Sequence, residues 1–485
     1  MNWKGISRSV GSALLVSSLF MFLSIVVSVS GGNDSALAAL LISFLITFIV
    51  GVFPFIFVRR TNAITLKEGY IIITLSWLLS FIFGMLPYAL WGGPFTLSNA
   101  WFESVSGFTT TGATVLSDVE ALPRSLLFWR SSTHFIGGLG VVVFLLLVIP
   151  GAGQMKLRLS NMELSPLSRS GYASRANKTV YIFAYVYLGI FILSTLSYWA
   201  AGMSFFDAVC HGMSVSATGG FSTRNASIAA FGSPLIELLT MVFMTASSLH
   251  FGLIFLAVIN RSIAPLRNPV LRFYLGTLLI FSVLTGLSLK LGGSVQSWGT
   301  AFWQGAFHTI STASTTGFAI ADNSTWPLLP NILLMFMAVM CGCAGSTSGG
   351  VKADRVLVLF KSIGCHVNRV LHPSAVNEVR LGNRTIRDEN SQPQVLYIAM
   401  YCCLLAFSVL ASLCLGVNDH SSFAASVSCL GNVGPAIREL GSMGNFGSVP
   451  AAAKYLFTFD MFLGRLEIYP VLAVVAMIFD RRQRG

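Results

Sequence analysis

Apolar runs of about 20 residues recur from one end of the chain to the other, and they constrain its fold more than any other feature. A helical run of that length matches the hydrocarbon core of a bilayer. Inside a membrane the backbone must satisfy its own hydrogen bonds, which a helix does within a single segment. The sequence therefore predicts an all-α polytopic membrane protein with ten transmembrane helices, at residues 11–30, 36–58, 70–91, 125–150, 180–201, 235–260, 271–291, 328–360 (interrupted), 395–417 and 451–479.

Charge gives these spans an orientation. Charged residues make up only 10% of the chain, against about 25% in soluble proteins. Most Lys and Arg residues flank every second span boundary, as the positive-inside tendency requires of cytoplasmic loops. We therefore expect both termini in the cytoplasm, and the net charge of +12 needs no nucleic-acid partner. A second role for the basic segment 351–394, in contacting a soluble partner, stays open. The basic residues expected on the outer side are Arg124, Arg130, Arg224, Lys290, Arg438 and Lys454.

The eight cysteines and seven histidines form no recognisable disulfide, metal or catalytic pattern. Free cysteines in apolar spans behave as small hydrophobic residues. Cys341 and Cys343 resemble half of a metal site, but no second pair supplies the remaining ligands. The stretch PGAGQMK at 150–156 is a helix end rather than a phosphate loop. We therefore expect neither an enzyme nor a cofactor on this chain.

Four short polar stretches, each built on a glycine, interrupt the apolar sequence: TTTGATV at 109–115, SATGGFST at 216–223, STTGFAIA at 314–321 and GNVGPAIR at 431–438. We align Gly112, Gly219, Gly317 and Gly434 in one column. About 11 apolar or small residues precede each glycine, and as a helix they reach about 16 Å, half of a bilayer. The sequence thus predicts four repeats of helix, half-helix, polar turn and helix, at 67–155, 156–265, 266–390 and 391–485, after two N-terminal helices at 1–66.

Half-helices that enter from outside and end at one axis would form a site for a cation. Each C-terminus carries roughly −0.5 of an elementary charge. The turns beyond can present carbonyl oxygens that replace a hydration shell, and glycine reaches backbone angles closed to other residues. Tight helix packing explains one such stretch, but not four at matching places. The candidate ion-binding residues are Thr110, Thr111, Gly112, Ala217, Thr218, Gly219, Gly220, Thr315, Thr316, Gly317, Asn432, Val433 and Gly434. Acidic residues near these stretches, which either attract cations or are simply solvated, are Asp118, Glu120, Asp207, Asp322, Asp419 and Glu439.

The span that begins at Leu328 is interrupted by CGCAGSTSGGVK, residues 341–352. Each glycine in a helix interior costs about 1 kcal/mol relative to alanine. The interruption is either a kink filled by neighbouring helices or a flexible segment that blocks and clears an ion path. The candidate gate residues are Gly342, Gly345, Ser346, Thr347, Ser348, Gly349, Gly350 and Lys352.

Arg465 lies in the middle of the last span, within DMFLGRLEIYP. A charge at that depth costs roughly 2.5–3.5 kcal/mol on insertion scales, so it usually faces a bundle interior or a cavity. Two interpretations stay open: a structural ion pair with Glu467 or Asp460, and a charge that faces the ion path.

These stretches resemble the Trk/Ktr/HKT superfamily of potassium transporters, and nearly the whole chain resembles its TrkH/TrkG branch. The resemblance implies K⁺ at the four turns, because Gly112 stands where a serine accompanies Na⁺ preference in plant members. It also implies an intramembrane gating loop in the third inner helix and a pore barrier at Arg465. The fourth repeat departs from the pattern, with Val433 in place of the threonines at 111, 218 and 316.

The resemblance further implies a bacterial inner-membrane protein, a homodimer that rests on a cytoplasmic TrkA-like ring that binds nucleotides. The predicted function is K⁺ uptake through a carbonyl-lined filter, gated by the loop and by that ring. The alternatives are a symporter that couples K⁺ to H⁺ or Na⁺, a Na⁺-permeable relative and a transporter of a larger solute. Inverted repeats would favour the last of these, whereas four repeats in one orientation favour a pore.

Overall fold

The computed structural model describes residues 1–59, 65–138, 140, 176–372, 378–381, 384–386 and 388–479. Two N-terminal helices, Trp3–Ser30 and Leu37–Phe57, pack against each other and against the first repeat. The remainder runs four times through the same order, which is an outer helix, a half-helix, an extended turn and an inner helix. This order agrees with the helical architecture predicted from the sequence.

The helix bounds are as follows. Outer helices 1 to 4 are Leu66–Gly84 (continued by Leu86–Trp91), Ala176–Ala200, Pro269–Leu291 and Asp388–Cys414. Half-helices 1 to 4 are Leu97–Phe108, Phe205–Ser216, Trp298–Ala313 and Asp419–Gly431. Inner helix 1 is Arg124–Gly138, and inner helices 2 to 4 are each in two pieces: Pro234–Ser248 with Phe251–Ile259, Leu328–Met340 with Ala353–Leu371, and Ala451–Arg465 with Tyr469–Phe479. Single 3-10 turns lie at Ser227–Phe231, Ala264–Arg267, Asn323–Thr325 and Arg438–Leu440.

The inner helices are less regular than the sequence predicted. Six described helices, namely the N-terminal pair and the four outer helices, are long and apolar enough to cross a membrane unbroken. The prediction of an unbroken span at 235–260 is wrong, because inner helix 2 bends by 103° after Ser248. The span at 451–479 also breaks, since Glu467 and Ile468 have φ of 57° and 61°. The predicted end of the span at 125–150, and the boundary near residue 155, lie outside the described residues.

Some hydroxyl groups inside the apolar helices are satisfied by the backbone of the same helix. The hydroxyl of Ser43 donates to the carbonyl of Ala39, and that of Thr47 to the carbonyl of Ser43, both at 2.7 Å. Such back-bonding hides a hydroxyl where water is absent. Gly11 meets Gly51 between the two N-terminal helices, where a β-carbon on Gly11 would lie 2.7 Å from the carbonyl oxygen of Gly51. Small residues thus bring these helices close together.

A short β-hairpin follows inner helix 3 within the basic segment 351–394. Its strands are Val379–Leu381 and Arg384–Ile386, with Val379 opposite Ile386. The side chain of Lys361 donates to the carbonyl of Arg380 and so ties the hairpin to inner helix 3. The all-α prediction is confirmed, with this hairpin as an addition that the sequence did not predict.

Candidate functional site

The four half-helices end in the same backbone conformation. In each repeat an N–H group of the turn donates to the carbonyl of an earlier serine, and the distance is 2.9 Å in all four. The donors are Thr111, Gly219, Thr316 and Val433, and the acceptors are Ser106, Ser214, Ser311 and Ser428.

Each turn then passes twice through the left-handed region. The first positions have φ of 54°, 55°, 59° and 55°, at Thr110, Thr218, Thr315 and Asn432. The second positions have φ of 79°, 80°, 78° and 94°, at Gly112, Gly220, Gly317 and Gly434. A side chain makes this conformation unfavourable by about 1–2 kcal/mol. Strain at the same position in four repeats is typical of a functional site.

This register corrects the column drawn from the sequence. Gly220, and not Gly219, is equivalent to Gly112, and Thr218 is equivalent to Thr110 rather than to Thr111. The sequence alone could not choose between two adjacent glycines. Gly219 keeps an ordinary φ, and its missing side chain makes room for His134, since a β-carbon there would lie 2.3 Å from His134 Nδ1.

The four glycines close a ring around one axis. A β-carbon on Gly112 would lie 2.0 Å from the carbonyl oxygen of Gly219, and one on Gly220 would lie 1.9 Å from that of Thr316. The same contact joins Gly317 to the carbonyl oxygen of Val433 at 2.4 Å, and Gly434 to that of Thr111 at 2.3 Å. Each repeat therefore touches the next, and the ring closes in the order of the sequence. A side chain on any of these four glycines would force adjacent backbones apart.

A cavity on one side of the ring is lined by all four of these glycines. Around it the acidic residues are partly neutralised. Asp207 lies 3.3 Å and Glu120 3.8 Å from the guanidinium of Arg224. The amide of Asn225 donates to Asp118 at 2.8 Å, and this bond lowers the pKa of the Asp118 carboxyl. Glu120 and Asp118 of repeat 1 thus contact Arg224 and Asn225 of repeat 2, two residues that line the cavity.

The interruption in inner helix 3, the segment 341–352, lies directly against the ends of the half-helices. The hydroxyl of Thr347 donates to the carbonyl of Ser216 at 3.2 Å, and the N–H of Gly349 donates to the hydroxyl of Thr315 at 3.3 Å. A β-carbon on Gly349 would lie 2.7 Å from the carbonyl oxygen of Gly431. The segment is buried except at Ser346. It therefore lies against the ends of half-helices 2, 3 and 4.

Arg465 holds this segment from the opposite side. Its guanidinium donates to the carbonyl of Thr347 at 2.6 Å, and to those of Gly137 and Gly138 at 2.6 and 2.9 Å. The sequence placed Arg465 at the centre of a span, but it is the last residue of a helical piece. The pairing with Glu467 or Asp460 is replaced by these carbonyls: Glu467 binds Lys352 and Arg355, and Asp460 accepts from Ser408.

Ion pairs hold the C-terminal end of segment 341–352. Lys352 has a φ of 77°, and its ammonium lies 2.6 Å from Glu467, which lies within the break in inner helix 4. Arg355 pairs with the same carboxylate, and its guanidinium lies 3.9 Å from the ring centre of Tyr397. The breaks in inner helices 3 and 4 are thus joined by a buried group of charges.

Comparison with known proteins decides the family. The profile of TrkH, described as a cation transport protein, matches residues 37–482. The chain belongs to the TrkH family.

Its relatives include the Trk system potassium uptake protein TrkH of Salmonella typhimurium strain LT2, with 33% identity over 99% of this chain and 100% of the relative. The Trk system potassium uptake protein TrkG of Escherichia coli K12 is 34% identical, with 93% of each chain covered. The crystal structure of the potassium transporter TrkH from Vibrio parahaemolyticus superimposes with a TM-score of 0.88, at 30% identity, over 99% of this chain and 100% of that one.

Membership of the TrkH family confirms the resemblance drawn from the sequence. It also confirms a helical membrane protein that is not an enzyme. In the described part of the chain, no group of three or more His, Cys, Asp and Glu residues is placed to hold a metal ion.

Sequence reasoning missed two features of this TrkH-family site. The first is a buried ion pair: Arg130, expected on the outer side, lies in inner helix 1, and its Nε is 2.6 Å from Glu103 Oε1. The guanidinium of Arg130 also lies 3.5 Å from the ring centre of Phe221 and so connects repeats 1 and 2. A glutamate inside the half-helix WFESVSGF was the signal available in the sequence.

The second feature is the bend in inner helix 2, which receives segment 341–352. The N–H of Cys343 donates to the carbonyl of Ser248 at 2.9 Å, and the N–H of Phe251 to the carbonyl of Gly345 at 3.0 Å. The ring of His250 packs against Gly345. The polar stretch SSLHFG inside an apolar span was the signal for this bend.

Proposed function

We propose that this chain takes up K⁺ across the cytoplasmic membrane, through the ring of four turns acting as a selectivity filter. The closed contact of each glycine with a carbonyl of the next repeat is the observation that carries the proposal. Four half-helix C-termini bring partial negative charge toward this axis, and carbonyl oxygens can replace the hydration shell of the ion. The relatives, named potassium uptake proteins and a potassium transporter, support K⁺ as the cation.

Segment 341–352 is the proposed gate. Its contacts with Ser216, Thr315 and Gly431 lie at the ends of half-helices 2, 3 and 4, so it stands in the path of an ion that leaves the filter. Glycines at φ of 78° and 68°, Gly345 and Gly350, permit a chain reversal that a regular helix excludes. Movement of this segment would open the path.

Arg465 is the proposed barrier in the closed state. Its bond to Thr347 places a positive charge beside the gate and holds the segment in place. Two unit charges about 4 Å apart repel by about 4 kcal/mol at an effective dielectric constant of about 20. Half of that repulsion would still slow an ion more than about tenfold.

The proposed assembly is a homodimer on a cytoplasmic TrkA-like ring, in a bacterial inner membrane, with both termini in the cytoplasm. Support comes from the helical piece Ala353–Leu371, which extends beyond the gate. Its side chains at Phe360, Ile363, Val367 and Val370 are between 51% and 69% exposed. An apolar face beside a basic hairpin is a suitable surface for a protein partner.

One observation favours a second candidate, the symport of K⁺ with H⁺ or Na⁺. Asp460 is a buried carboxylate in inner helix 4. The hydroxyl of Ser408 donates to it at 2.5 Å and lies 2.9 Å from that of Ser426. A buried acid among hydroxyl groups is a common place for a coupling ion in transporters.

Purified protein in liposomes tests the proposal and the alternative together. Uptake of K⁺ and Rb⁺ along their gradients, with Na⁺ uptake far smaller, is the expected result. A pH-sensitive dye inside the vesicles reports any accompanying proton movement. Equal uptake of K⁺ and Na⁺ would overturn the filter, and a proton flux in fixed proportion to K⁺ would establish coupling.

A further inference from the structure

The side-chain hydrogen bonds that hold the four turns follow a two-fold pattern. In repeats 1 and 3 two hydroxyl groups tether each turn to its half-helix, Thr109 to Thr111 and Ser314 to Thr316, both at 2.8 Å. In the same repeats a serine hydroxyl donates to the carbonyl that follows the glycine, from Ser106 to Ala113 and from Ser311 to Phe318, both at 2.6 Å. These repeats lie diagonally opposite each other in the ring.

Repeat 2 has neither hydroxyl of this tether. Ala217 and Gly219 occupy the positions of the two tethering residues, and the hydroxyl of Ser214 occupies the position of those of Ser106 and Ser311. That hydroxyl lies 2.9 Å from Nδ1 of His134 instead of from a turn carbonyl. The tether of repeat 2 is therefore supplied by another part of the chain, inner helix 1.

His134 is fixed on several sides. The ring is buried and stacks on Phe221, with centroids 4.0 Å apart and planes inclined by 15°. Phe221 also contacts the guanidinium of Arg130, which lies one turn before His134 in inner helix 1. The imidazole fills the space behind Gly219, where a β-carbon would lie between 2.3 and 2.7 Å from three of its atoms.

Gly219 and Gly220 are glycines for different reasons. Gly220 has a φ of 80°, and a β-carbon there would meet the backbone of Thr316. Gly219 has an ordinary φ, and the three atoms nearest to a β-carbon there all belong to the side chain of His134. Removing the imidazole should therefore make room for a threonine at 219, as at 111 and 316, but not for a side chain at 220.

We propose that His134 is a positioning residue that sets the ion selectivity of the second filter turn, in place of the hydroxyl tethers of repeats 1 and 3. This inference rests on the proposed function. The imidazole keeps the Gly219 carbonyl, which Gly112 touches, at the same radius as the carbonyls of the other repeats. Without the imidazole, the Gly219 carbonyl can move, and the four carbonyls together lose their preference for K⁺.

The test is a set of four variants in liposomes, read as the ratio of K⁺ to Na⁺ permeability. His134→Ala should lower the ratio by about fivefold, the effect of losing one hydrogen bond. Gly219→Thr should lower it by a similar factor, because its side chain would displace the imidazole. The double variant His134→Ala/Gly219→Thr should recover to within about twofold of the original ratio. The control, His134→Ala/Gly220→Thr, should not recover, because the backbone of Thr316 still blocks residue 220.

Ser214→Ala is a milder variant for the case in which a larger change impairs folding. It keeps the imidazole of His134 but removes the hydroxyl that is bonded to its Nδ1. It should lower the permeability ratio by about twofold to fivefold. Monodispersity and thermal stability in detergent identify folded protein for each variant. A ratio unchanged in both Ser214→Ala and His134→Ala would overturn the proposal, as would a double variant no better than the single ones. A parent protein without K⁺ selectivity would instead refute the filter itself.

Discussion

The four turns share one hydrogen bond of 2.9 Å and one pair of left-handed residues, whereas the inner helices beneath them differ in almost every respect. Inner helix 2 bends by 103°, inner helix 3 carries the segment 341–352, and inner helix 4 ends its first piece at Arg465. A cation held by carbonyl oxygens from four sides needs equivalent neighbours, but one obstacle is enough to close a path. The fold repeats itself where an ion would bind and varies where the path would be closed.

The largest effect is expected from breaking the equivalence of the ring. Gly220→Ala places a β-carbon 1.9 Å from the carbonyl oxygen of Thr316 at a φ of 80°. Uptake of K⁺ should fall by about two orders of magnitude, which corresponds to about 2.7 kcal/mol. Rubidium uptake normalised to folded protein measures it. The matched control is Gly276→Ala in outer helix 3, where nothing lies within 4 Å; equal losses in both variants would contradict the ring.

Changes to segment 341–352, the proposed gate, should have the opposite effect on uptake. Deleting residues 345–350 removes the obstacle and also the carbonyl that Arg465 holds. Uptake should rise more than about tenfold without any cytoplasmic partner, because both the block and the adjacent charge are displaced. The permeability ratio of K⁺ to Na⁺ should stay within about twofold, since the filter bonds remain. A folded deletion variant with parental uptake would show that the segment is a kink and not a gate.

Two substitutions at Arg465 separate the effect of its charge from the effect of its hydrogen bonds. Arg465→Ala removes both and should raise uptake by about tenfold. Arg465→Lys keeps the charge but cannot reproduce a planar fork that reaches the carbonyls of Thr347, Gly137 and Gly138. An intermediate rate for lysine is therefore expected, and rubidium uptake checks it. Uptake that falls in the alanine variant would exclude a barrier at this position.

The smallest effect concerns the tethers. Thr316→Val keeps the shape of the side chain and removes the 2.8 Å bond to Ser314. The permeability ratio should fall by about threefold to fivefold, since one hydrogen bond contributes about 1 kcal/mol. Val433→Thr is the reciprocal change, and it should leave the ratio unaltered because the matching position in repeat 4 is Gly431, which has no hydroxyl. A larger effect at 433 than at 316 would reject the two-fold pattern.

Much of this arrangement was accessible from the sequence, since apolar runs and four glycine-centred stretches fix the number and order of the repeats. The register in repeat 2 was not, because adjacent glycines differ only in φ and in their neighbours. The partners of Arg465 were also missed. Sequence reasoning searches for carboxylates, but here backbone carbonyls of inner helix 1 and of segment 341–352 accept hydrogen bonds from the guanidinium. Pairing across 118 or more residues depends on tertiary structure that local pattern does not encode.

The hydrogen bonds between segment 341–352, the proposed gate, and the bend of inner helix 2 have a consequence for hydration. The carbonyls of Ser247, Ser248 and Gly345 accept bonds across this contact, deep in the protein. If the gate moves away, those oxygens lose their donors, and an unsatisfied polar group in an apolar environment costs several kcal/mol. Water would therefore have to enter as the segment leaves. Opening of the proposed gate would then be a wetting transition, in which the same molecules that replace the lost hydrogen bonds would rehydrate an ion as it departs from the proposed filter.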